Sequence, residues 1–495
     1  MTSTEPTALD TTKEKKDVVA TTVDEKNISD DGSLSSAQEE QEKERLRLME
    51  KKLLWKVDVR MSILVLIYIL NHIDRNNISA ARLAGFERDL KLTGSQFPTL
   101  IAIYLVGYIL MQVPSNMLLN YLKRPSYYLS GAMFIWGVIS ALTGITQNFV
   151  GALICRLTLG IVETAFFPGA LLLMSRWYKR DELGFRTSIF FAGLLISIAF
   201  GNLMASGILD RMDGVLGHAS WRWLFFIEGA ITCAIAVLAA FIIPDFPEVN
   251  QRWLTPEEQA FAIARIEAES KNDDPTKVVG EVEGFKQAIR DWKVWFLTLL
   301  YAVMFLSTTF VLYLPTLAAT LGFNATISLV LCAPPSLLVT VTAWFHARHS
   351  DKSGERCYHI IVPTVIAVTG HIVVMATLNR WARYFAFFLI AQSPAAQICF
   401  LAWMSNSFPE SSAKRAVAIG IASSISQVGG IAGSFIYPDS WGPGYRPSFG
   451  INVAACVFII ILSLVYRRKL IQINHKLEEE EKAKGQTTPG FRYPL

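Results

Sequence analysis

Four ionisable side chains lie inside stretches of this chain that are apolar and long enough to cross a membrane. Two of them are adjacent: Asp74 and Arg75 belong to the sequence NHIDRNNIS, within an apolar run over residues 57–80. A helix needs about 20 apolar residues to span a bilayer, and a charge inside such a span marks a candidate functional site. Neighbours on a helix point about 100° apart, so Asp74 and Arg75 cannot simply neutralise each other. Each needs a partner on another helix, a water-filled cavity or a ligand.

The other two charges lie in the sequence CRLTLGIVETAFFPG. Arg156, Gly160 and Glu163 occupy positions i, i+4 and i+7, which places them on one face of a helix. Arg156 and Glu163 are then about 10 Å apart, too far for a salt bridge within the helix. If the two helices pack together, two basic and two acidic side chains face one cavity.

The composition indicates a polytopic membrane protein. Of 495 residues, 52% are hydrophobic and only 18% are charged, which is too apolar for a soluble chain of this length. The net charge of +4 comes from basic residues in short loops rather than from one patch, so nucleic acid is not an expected ligand. The six cysteines show no metal-ligand spacing. We also find no phosphate-binding loop, metal cluster or nucleophile with its base, so we expect neither an enzyme nor a cofactor.

The positioning elements are predicted to be twelve transmembrane helices in two groups of six, an all-α membrane fold. The predicted spans are residues 57–80, 97–120, 126–146, 149–175, 185–208, 221–243, 292–318, 325–346, 358–378, 382–405, 413–436 and 447–466. The predicted regions are a disordered cytoplasmic tail (1–54), a first bundle (55–243), a cytoplasmic linker (244–291), a second bundle (292–468) and a cytoplasmic tail (469–495). The excess of Lys and Arg in alternate short loops predicts that both termini are cytoplasmic.

One loop of the second half carries a recognisable charge pattern. In HARHSDKSGERC, the residues Asp351, Lys352, Gly354 and Arg356 resemble the charged gating loop of the major facilitator superfamily. In that family the aspartate pairs with basic residues of a neighbouring loop in one conformation only. A plain glycine turn with solvated charges is the alternative. The corresponding loop of the first half departs from the pattern, since Asn120 stands where the aspartate is expected.

Several further stretches together resemble one branch of that superfamily, the anion:cation symporters, and within it the fungal allantoate permease type. They are VPSNMLL, IDRNNIS, RLTLGIVETAFFPGALLLMSRWY and SWRWLFFIEG, and the resemblance covers residues 55–470. It implies a major facilitator fold of two pseudo-symmetric six-helix bundles. It also implies uptake of organic anions with protons. Arg75 and Arg156 match positions that hold the substrate carboxylate, while Asp74 and Glu163 match positions that bind and release protons.

Elementary electrostatics agrees with these implied roles. Two arginines and two carboxylates sum to zero, so a monoanion that enters with one proton keeps the cavity neutral. Moving an uncompensated negative charge into a cell that is negative inside would cost about 2.3 kcal/mol per 100 mV. The alternative is a charge network that only holds helices together.

Four further residues are weaker candidates for the same site. His72, two residues before Asp74, either tunes proton binding there or is a polar residue of the cavity wall. Candidate substrate contacts in the second half are Tyr313, Gln392 and Gln427, although polar residues in such spans often only join helices.

We therefore expect a monomeric transporter in the plasma membrane that imports a small organic carboxylate, vitamin-like or nitrogen-source-like, with protons by alternating access. Its partners would be the organic anion, protons and the lipid bilayer. Two alternatives stay open: export of an anionic secondary metabolite, and a non-transporting nutrient sensor on the same scaffold. A vacuolar or other endomembrane location is also open.

Overall fold

The computed structural model describes residues 36–122, 124–249, 251–271, 281–409, 411–484 and 490–495. Within these ranges the regular structure is helical and no strand occurs, which confirms the predicted all-α class. The chain divides into two compact units, Met1–Asp58 and Val59–Leu495, and the second carries the site.

The helices are numbered in chain order. Those of the first half are α1 (Ser36–Leu83), α2 (Phe86–Asp89), α3 (Gln96–Leu122), α4 (Pro125–Thr143), α5 (Phe149–Glu163), α6 (Phe166–Trp177), α7 (Arg180–Arg211) and α8 (Ser220–Ile242). The connecting segment holds α9 (Pro256–Lys271) and α10 (Glu281–Arg290). Those of the second half are α11 (Trp292–Thr308), α12 (Phe310–Ala319), α13 (Ala325–Ser353), α14 (Cys357–Ala376), α15 (Arg380–Ile390), α16 (Ser393–Asn406), α17 (Ser412–Ser434) and α18 (Arg446–Ala483).

Eleven segments of the described chain are long and apolar enough to cross a membrane. The first predicted span is not among them, because the polar sequence from Asn71 to Asn77 lowers the hydropathy of α1. In this part of α1 the side chains of Asp74 and Asn77 are nonetheless buried. With α1 the count reaches the twelve spans that the sequence predicts.

The helix contacts repeat between the two halves. In the first half α4 packs on α8 and α3 on α5, and in the second half α14 packs on α18 and α13 on α16. Between the halves, α3 packs on α17 and α7 packs on α13. If the spans are numbered one to six within each half, every one of these contacts has an equivalent between the spans of the same numbers in the other half. This repetition is expected for two related bundles.

Three predicted spans are broken rather than continuous. The fourth consists of α5 and α6, the seventh of α11 and α12, and the tenth of α15 and α16. Prolines explain two of the breaks, because Pro168 and Pro394 lack the N–H that would bond to the carbonyls of Thr164 and Ile390. The break in the fourth span follows directly after Glu163, so the broken helix ends at a candidate site residue.

The predicted disorder of residues 1–54 is wrong for its last part. Residues 1–35 lie outside the described ranges, but α1 begins at Ser36. The sequence after Ser36 is rich in Glu, Lys, Arg and Leu, which have high helix propensity. Arg45 also pairs with Glu42 one turn away, at 3.7 Å. Low hydrophobicity was therefore not sufficient evidence for disorder here.

The described segments that follow the two bundles in the chain also form regular structure. In the linker, α9 begins with a reciprocal capping box, in which the backbone N–H groups of Thr255 and Glu258 each bond to the other residue's side chain at 3.1 and 3.2 Å. At the other end, α18 continues beyond residue 468 to Ala483. Residues 490–495 then pack back on the second bundle, where Trp403 Nε1 donates to the Pro494 carbonyl at 2.9 Å.

Candidate functional site

Close contact between α3 and α5 positions the acidic residue of the fourth span. A Cβ atom at Gly160 would collide with the carbonyl oxygen of Tyr104, and one at Gly107 would lie 2.5 Å from the Leu157 carbonyl oxygen. Only glycine allows the two backbones to approach this far. The contact brings the Tyr104 hydroxyl to Glu163.

Glu163 is buried and its two oxygens differ. Oε2 accepts a 2.5 Å hydrogen bond from the Tyr104 hydroxyl, whereas Oε1 has no hydrogen-bond partner in the described structure. The exposed fraction of the residue is 1%. A carboxyl group with one free oxygen in such an environment can take up or release a proton with little rearrangement.

Arg75 faces aromatic rings of α3. Its guanidinium carbon lies 5.0 Å from the ring centroid of Tyr104 and 5.9 Å from that of Tyr108. These are cation–π distances, which leave the edges of the guanidinium group free to bind an anion. Tyr104 therefore contacts both Arg75 and Glu163 and links the basic and acidic groups.

Arg156 is buried without a full set of partners. Its exposed fraction is 2%, and its Nη1 atom donates a long 3.4 Å hydrogen bond to the Arg75 carbonyl. Nε and Nη2 have no hydrogen-bond partner in the described structure. Among the described residues, no carboxylate lies within 4.0 Å of the guanidinium group of Arg75 or Arg156. Two guanidinium groups are thus held apart from the nearby carboxylates.

Asp74 points away from Arg75, as the helix geometry predicts. It is buried, and its two oxygens accept hydrogen bonds from Ser140 of α4 at 3.1 Å and Thr232 of α8 at 2.9 Å. Asp74 therefore faces α4 and α8, whereas Arg75 faces α3.

The prediction that the buried charges sum to zero is incomplete, because it omits Glu228. This residue of α8 is 1% exposed, and neither carboxyl oxygen has a hydrogen-bond partner in the described structure. The signal that identified Asp74, an ionisable residue in a membrane-length apolar run, is equally present in SWRWLFFIEG. That sequence contributed to the resemblance, but its glutamate was not counted as a site residue.

Two of the weaker candidates, His72 of the first half and Gln427 of the second half, lie on helices α1 and α17. His72 contacts the ring of Tyr68 edge-on, with centroids 4.6 Å apart. Gln427 is buried on α17, and its Oε1 has no hydrogen-bond partner in the part of the chain that is described. Both remain candidates for the cavity wall. Ser424 of α17 donates to Gln112 of α3 at 2.8 Å, which joins the two bundles.

Tyr313 and Gln392 bond to groups of the second half in this conformation rather than to Arg75 or Arg156. The Tyr313 hydroxyl donates to the Ser434 carbonyl at 2.6 Å, and its ring stacks on Tyr437. Gln392 bonds to Thr342 at 2.7 Å and lines a groove of about 590 Å³ formed only by α13 to α16 of the second half. The sequence did not show that Gln392 faces a groove within the second half, or that Tyr313 meets the first half near Phe97 rather than near Arg75 and Arg156.

The predicted gating loop makes its contacts within the second half. Arg356 pairs with Asp351 of the same loop at 2.6 Å, and Gly354 ends α13 in a left-handed conformation with φ +67°. Lys352 is exposed. The backbone N–H of Arg356 bonds to the Leu495 carbonyl oxygen. In this conformation Asp351 therefore has a partner in its own loop.

A cluster at the opposite end of the bundles joins the two halves and was not predicted. Arg82, at the end of α1, binds Asp439 of the second half at 2.5 Å and Glu87 at 3.0 Å. Its guanidinium carbon also lies 4.3 Å from the Phe97 ring and 5.9 Å from the Tyr313 ring. Burial raises the pKa of the Glu87 carboxyl, and the charge of Arg82 opposes that shift. We call these five residues the Arg82 cluster.

A small cavity lies between α1, α7 and α12, next to the charged site. Its volume is about 20 Å³, and its lining includes Asn77 and Ser79. The Asn77 amide nitrogen and the Ser79 hydroxyl are buried without hydrogen-bond partners in the described structure. Polar groups of α1 and α7, both in the first half, thus face a space that α12 of the second half lines with apolar residues.

Fold and site define a class: a membrane protein of two packed six-helix bundles with ionisable groups inside the first bundle. The model of the Major Facilitator Superfamily matches residues 64–434, and the chain belongs to this family. It is therefore a membrane transporter.

Two relatives and one solved structure show the extent of the similarity. The chain is 30% identical to the MFS-type transporter cnsO of Penicillium expansum, over all of this chain and 99% of that protein. It is 30% identical to a putative tartrate transporter of Agrobacterium vitis, over 65% of this chain and 70% of that protein. A crystal structure of a bacterial homologue of the human lysosomal transporter Spinster, inward-facing and unoccupied, superposes with a TM-score of 0.67. It is 16% identical and covers 84% of this chain and 98% of its own.

Proposed function

We propose that the protein imports a small organic anion together with protons by alternating access, across the plasma membrane and with both termini in the cytoplasm. The observation that carries this proposal is Arg156, which is 2% exposed and has two guanidinium nitrogens without hydrogen-bond partners among the described residues. Burying a charged group without hydrogen-bond partners costs free energy. An arginine buried in this way therefore indicates a site where a ligand supplies the missing hydrogen bonds.

The substrate class follows from the chemistry of guanidinium groups. Arginine binds carboxylates through paired, charge-assisted hydrogen bonds, and the Arg156 guanidinium group donates to the backbone carbonyl of Arg75. The similarity to a protein named as a putative tartrate transporter supports this class, because tartrate is a carboxylate.

Proton coupling is proposed for Glu163. It interacts electrostatically with both Arg75 and Arg156. When an anion binds to the arginines, their charge is no longer fully available to stabilise a carboxylate at Glu163, so proton binding there becomes more favourable. Anion and proton then bind together and leave together, which is the requirement for symport.

Alternating access is proposed to act through the two ends of the bundles. At one end the Arg82 cluster joins the halves through the ion pair with Asp439. At the other end, the gating-loop aspartate pairs with Arg356 of its own half. Opening toward the outside would then break the Arg82–Asp439 pair and release Asp351 for a partner in a neighbouring loop.

The test is proton entry into proteoliposomes that contain the purified protein. An internal pH dye reports protons while a panel of carboxylates, including tartrate, is added outside. We expect at least one carboxylate to acidify the lumen, and Arg156→Gln to abolish the response. Arg176→Gln is the matched control, because Arg176 is 48% exposed and contacts surface Glu248 and the Phe246 ring rather than the buried site. Proton entry that Arg156→Gln leaves intact would contradict the proposal.

A further inference from the structure

Glu228 is a buried carboxyl group that the proposed mechanism does not use. It lies in α8, is 1% exposed, and has no hydrogen-bond partner on either oxygen among the described residues. No salt bridge within 4.0 Å involves it in that part of the chain. A bare carboxylate in such surroundings is so costly that a proton is the expected compensation.

Helix packing places Glu228 beside Asp74. A Cβ atom at Gly229 would lie 2.6 Å from the Gly137 carbonyl oxygen, so α4 and α8 touch closely at this level. One turn further along α8, Thr232 donates to Asp74. Thr232 follows Glu228 by four residues and lies on the same face of the helix. Asp74 and Glu228 accordingly interact electrostatically.

The two carboxyl groups have unequal surroundings. Asp74 accepts hydrogen bonds from two hydroxyl groups, of Ser140 and Thr232, which stabilise its ionised form. Glu228 has no such donor in the described structure. Two neighbouring buried carboxyl groups do not both ionise readily, so the pair retains a proton.

Few other ionisable groups face this pair. Arg156 and Glu163 of α5 and Cys233 of α8 interact electrostatically with Asp74. From α4, the neighbouring polar group is the Ser140 hydroxyl, which carries no charge. Arg156 is the positively charged residue among these neighbours, and it is also the residue that we propose binds the substrate anion.

We propose that Glu228 is a proton-binding residue, which forms with Asp74 an acid pair that carries a proton separately from Glu163. Proton transfer from the Glu228 carboxylic acid to the Asp74 carboxylate leaves the pair with one negative charge. Release of that proton to water leaves two negative charges, next to Arg156. The transport half of this inference rests on the proposed function, whereas proton binding itself does not.

Infrared spectroscopy tests proton binding without a substrate. The full-length protein in proteoliposomes is titrated with pH, and the C=O stretch of protonated carboxyl groups is recorded for the wild type, Glu228→Gln and Glu163→Gln. We expect Glu228→Gln to remove one component at neutral pH that Glu163→Gln leaves in place. A Glu228→Gln spectrum identical to that of the wild type in this region would overturn the inference.

A second variant tests the pair. Asp74→Asn leaves Glu228 in place but removes the neighbouring negative charge. We expect the titration curve of the Glu228 component to move in this variant. An unchanged curve would show that the two carboxyl groups do not form a pair.

Transport measurements then test the role of the proton. For the carboxylate found with the wild type, Glu228→Gln should exchange labelled substrate across the membrane but accumulate less of it under a pH gradient, because only the proton of Glu163 still accompanies the substrate. Accumulation equal to that of the wild type would contradict a transported proton at Glu228. If the wild type itself moves no protons with any carboxylate, the proposed function fails, and the infrared result still decides whether Glu228 binds a proton.

Discussion

Arg156 combines deep burial with an incomplete set of hydrogen bonds. Its one described hydrogen bond, to the Arg75 carbonyl, is 3.4 Å long, and two of its nitrogens have no partner in the described structure. Structural arginines in the same molecule are better satisfied: Arg265 binds Glu182 at 2.8 Å and the Trp177 carbonyl at 2.7 Å. This difference is what separates an anion-binding role from a role in packing.

The residue-scale prediction concerns Arg156→Lys, which keeps the charge but removes the planar fork of donors. Losing one charge-assisted hydrogen bond to a carboxylate costs about 1.5–3 kcal/mol. We therefore expect the Kd for the transported anion to rise about 10- to 100-fold. Binding of labelled substrate to purified protein checks this.

The control for that measurement is Arg176→Lys, an arginine that is half exposed on α6. It should bind the anion as the wild type does. Wild-type affinity in Arg156→Lys would show that the site needs only a positive charge, or that the anion binds elsewhere.

Sequence reasoning found most of the charged residues but not their partners. It predicts that Asp74 and Arg75 diverge, and the structure shows Asp74 bonded to Ser140 and Thr232 while Arg75 faces tyrosines. It could not assign those donors, because a hydroxyl residue in an apolar run has the same appearance whether it faces a charge or a neighbouring helix. It also missed Glu228, although the same signal was present.

At the scale of helices, glycine contacts fix the geometry of the site. The contact of Gly160 with the Tyr104 backbone sets the distance between α3 and α5, and Tyr104 in turn donates to Glu163 at 2.5 Å. The sequence predicted the shared face of Gly160 and Glu163. It predicted one continuous span over residues 149–175, whereas the structure ends α5 at Glu163 and begins α6 at Phe166.

Gly160→Ala tests this contact. The added methyl group would collide with the α3 backbone, which cannot rotate away as a side chain does, so we expect destabilisation of about 1–3 kcal/mol. Tyr104 should also move relative to Glu163, and proton-coupled uptake should fall. Thermal unfolding in detergent and uptake in proteoliposomes measure the two effects.

Gly131→Ala on α4 is the matched control, since a Cβ atom there has nothing within 4 Å. It should unfold at the wild-type temperature or slightly above, because alanine favours helix more than glycine does. If Gly160→Ala behaved in the same way, α3 and α5 would not be held at the distance described here.

At the scale of the whole molecule, the two halves meet differently at their two ends. The Arg82 cluster joins them through Asp439, which is on the second half. The sequence analysis identified the fold and the repeat of six spans, because these depend on hydropathy and length. It did not identify this junction, because Arg82 and Asp439 are far apart in the chain and each lies in a polar loop or helix end.

Asp439→Asn should weaken the closure at this end. The pair is the direct ionic link between the halves in the cluster, and the Asp439 side chain is 64% exposed, so salt should weaken it as well. We introduce Thr316→Cys next to Arg82 and expect its thiol to react faster with a polar thiol reagent in Asp439→Asn and at high salt. The wild type without the added cysteine gives the background from its native cysteines.

Asp210→Asn is the control, because Asp210 is exposed and pairs with the adjacent Arg211 at 3.4 Å. It should leave the labelling rate unchanged. Equal rates for Asp439→Asn and the parent would show that the ion pair does not hold this end closed.

The measurement that tests the central claim most directly is proton flux through Glu163→Gln in proteoliposomes. It is recorded with an internal pH dye beside exchange of the labelled carboxylate. Coupling through Glu163 predicts that the variant exchanges substrate but moves fewer protons per substrate than the wild type, because only the proton of the Asp74–Glu228 pair can still accompany the substrate. Substrate-driven proton entry in Glu163→Gln at the wild-type rate would contradict coupling at this residue.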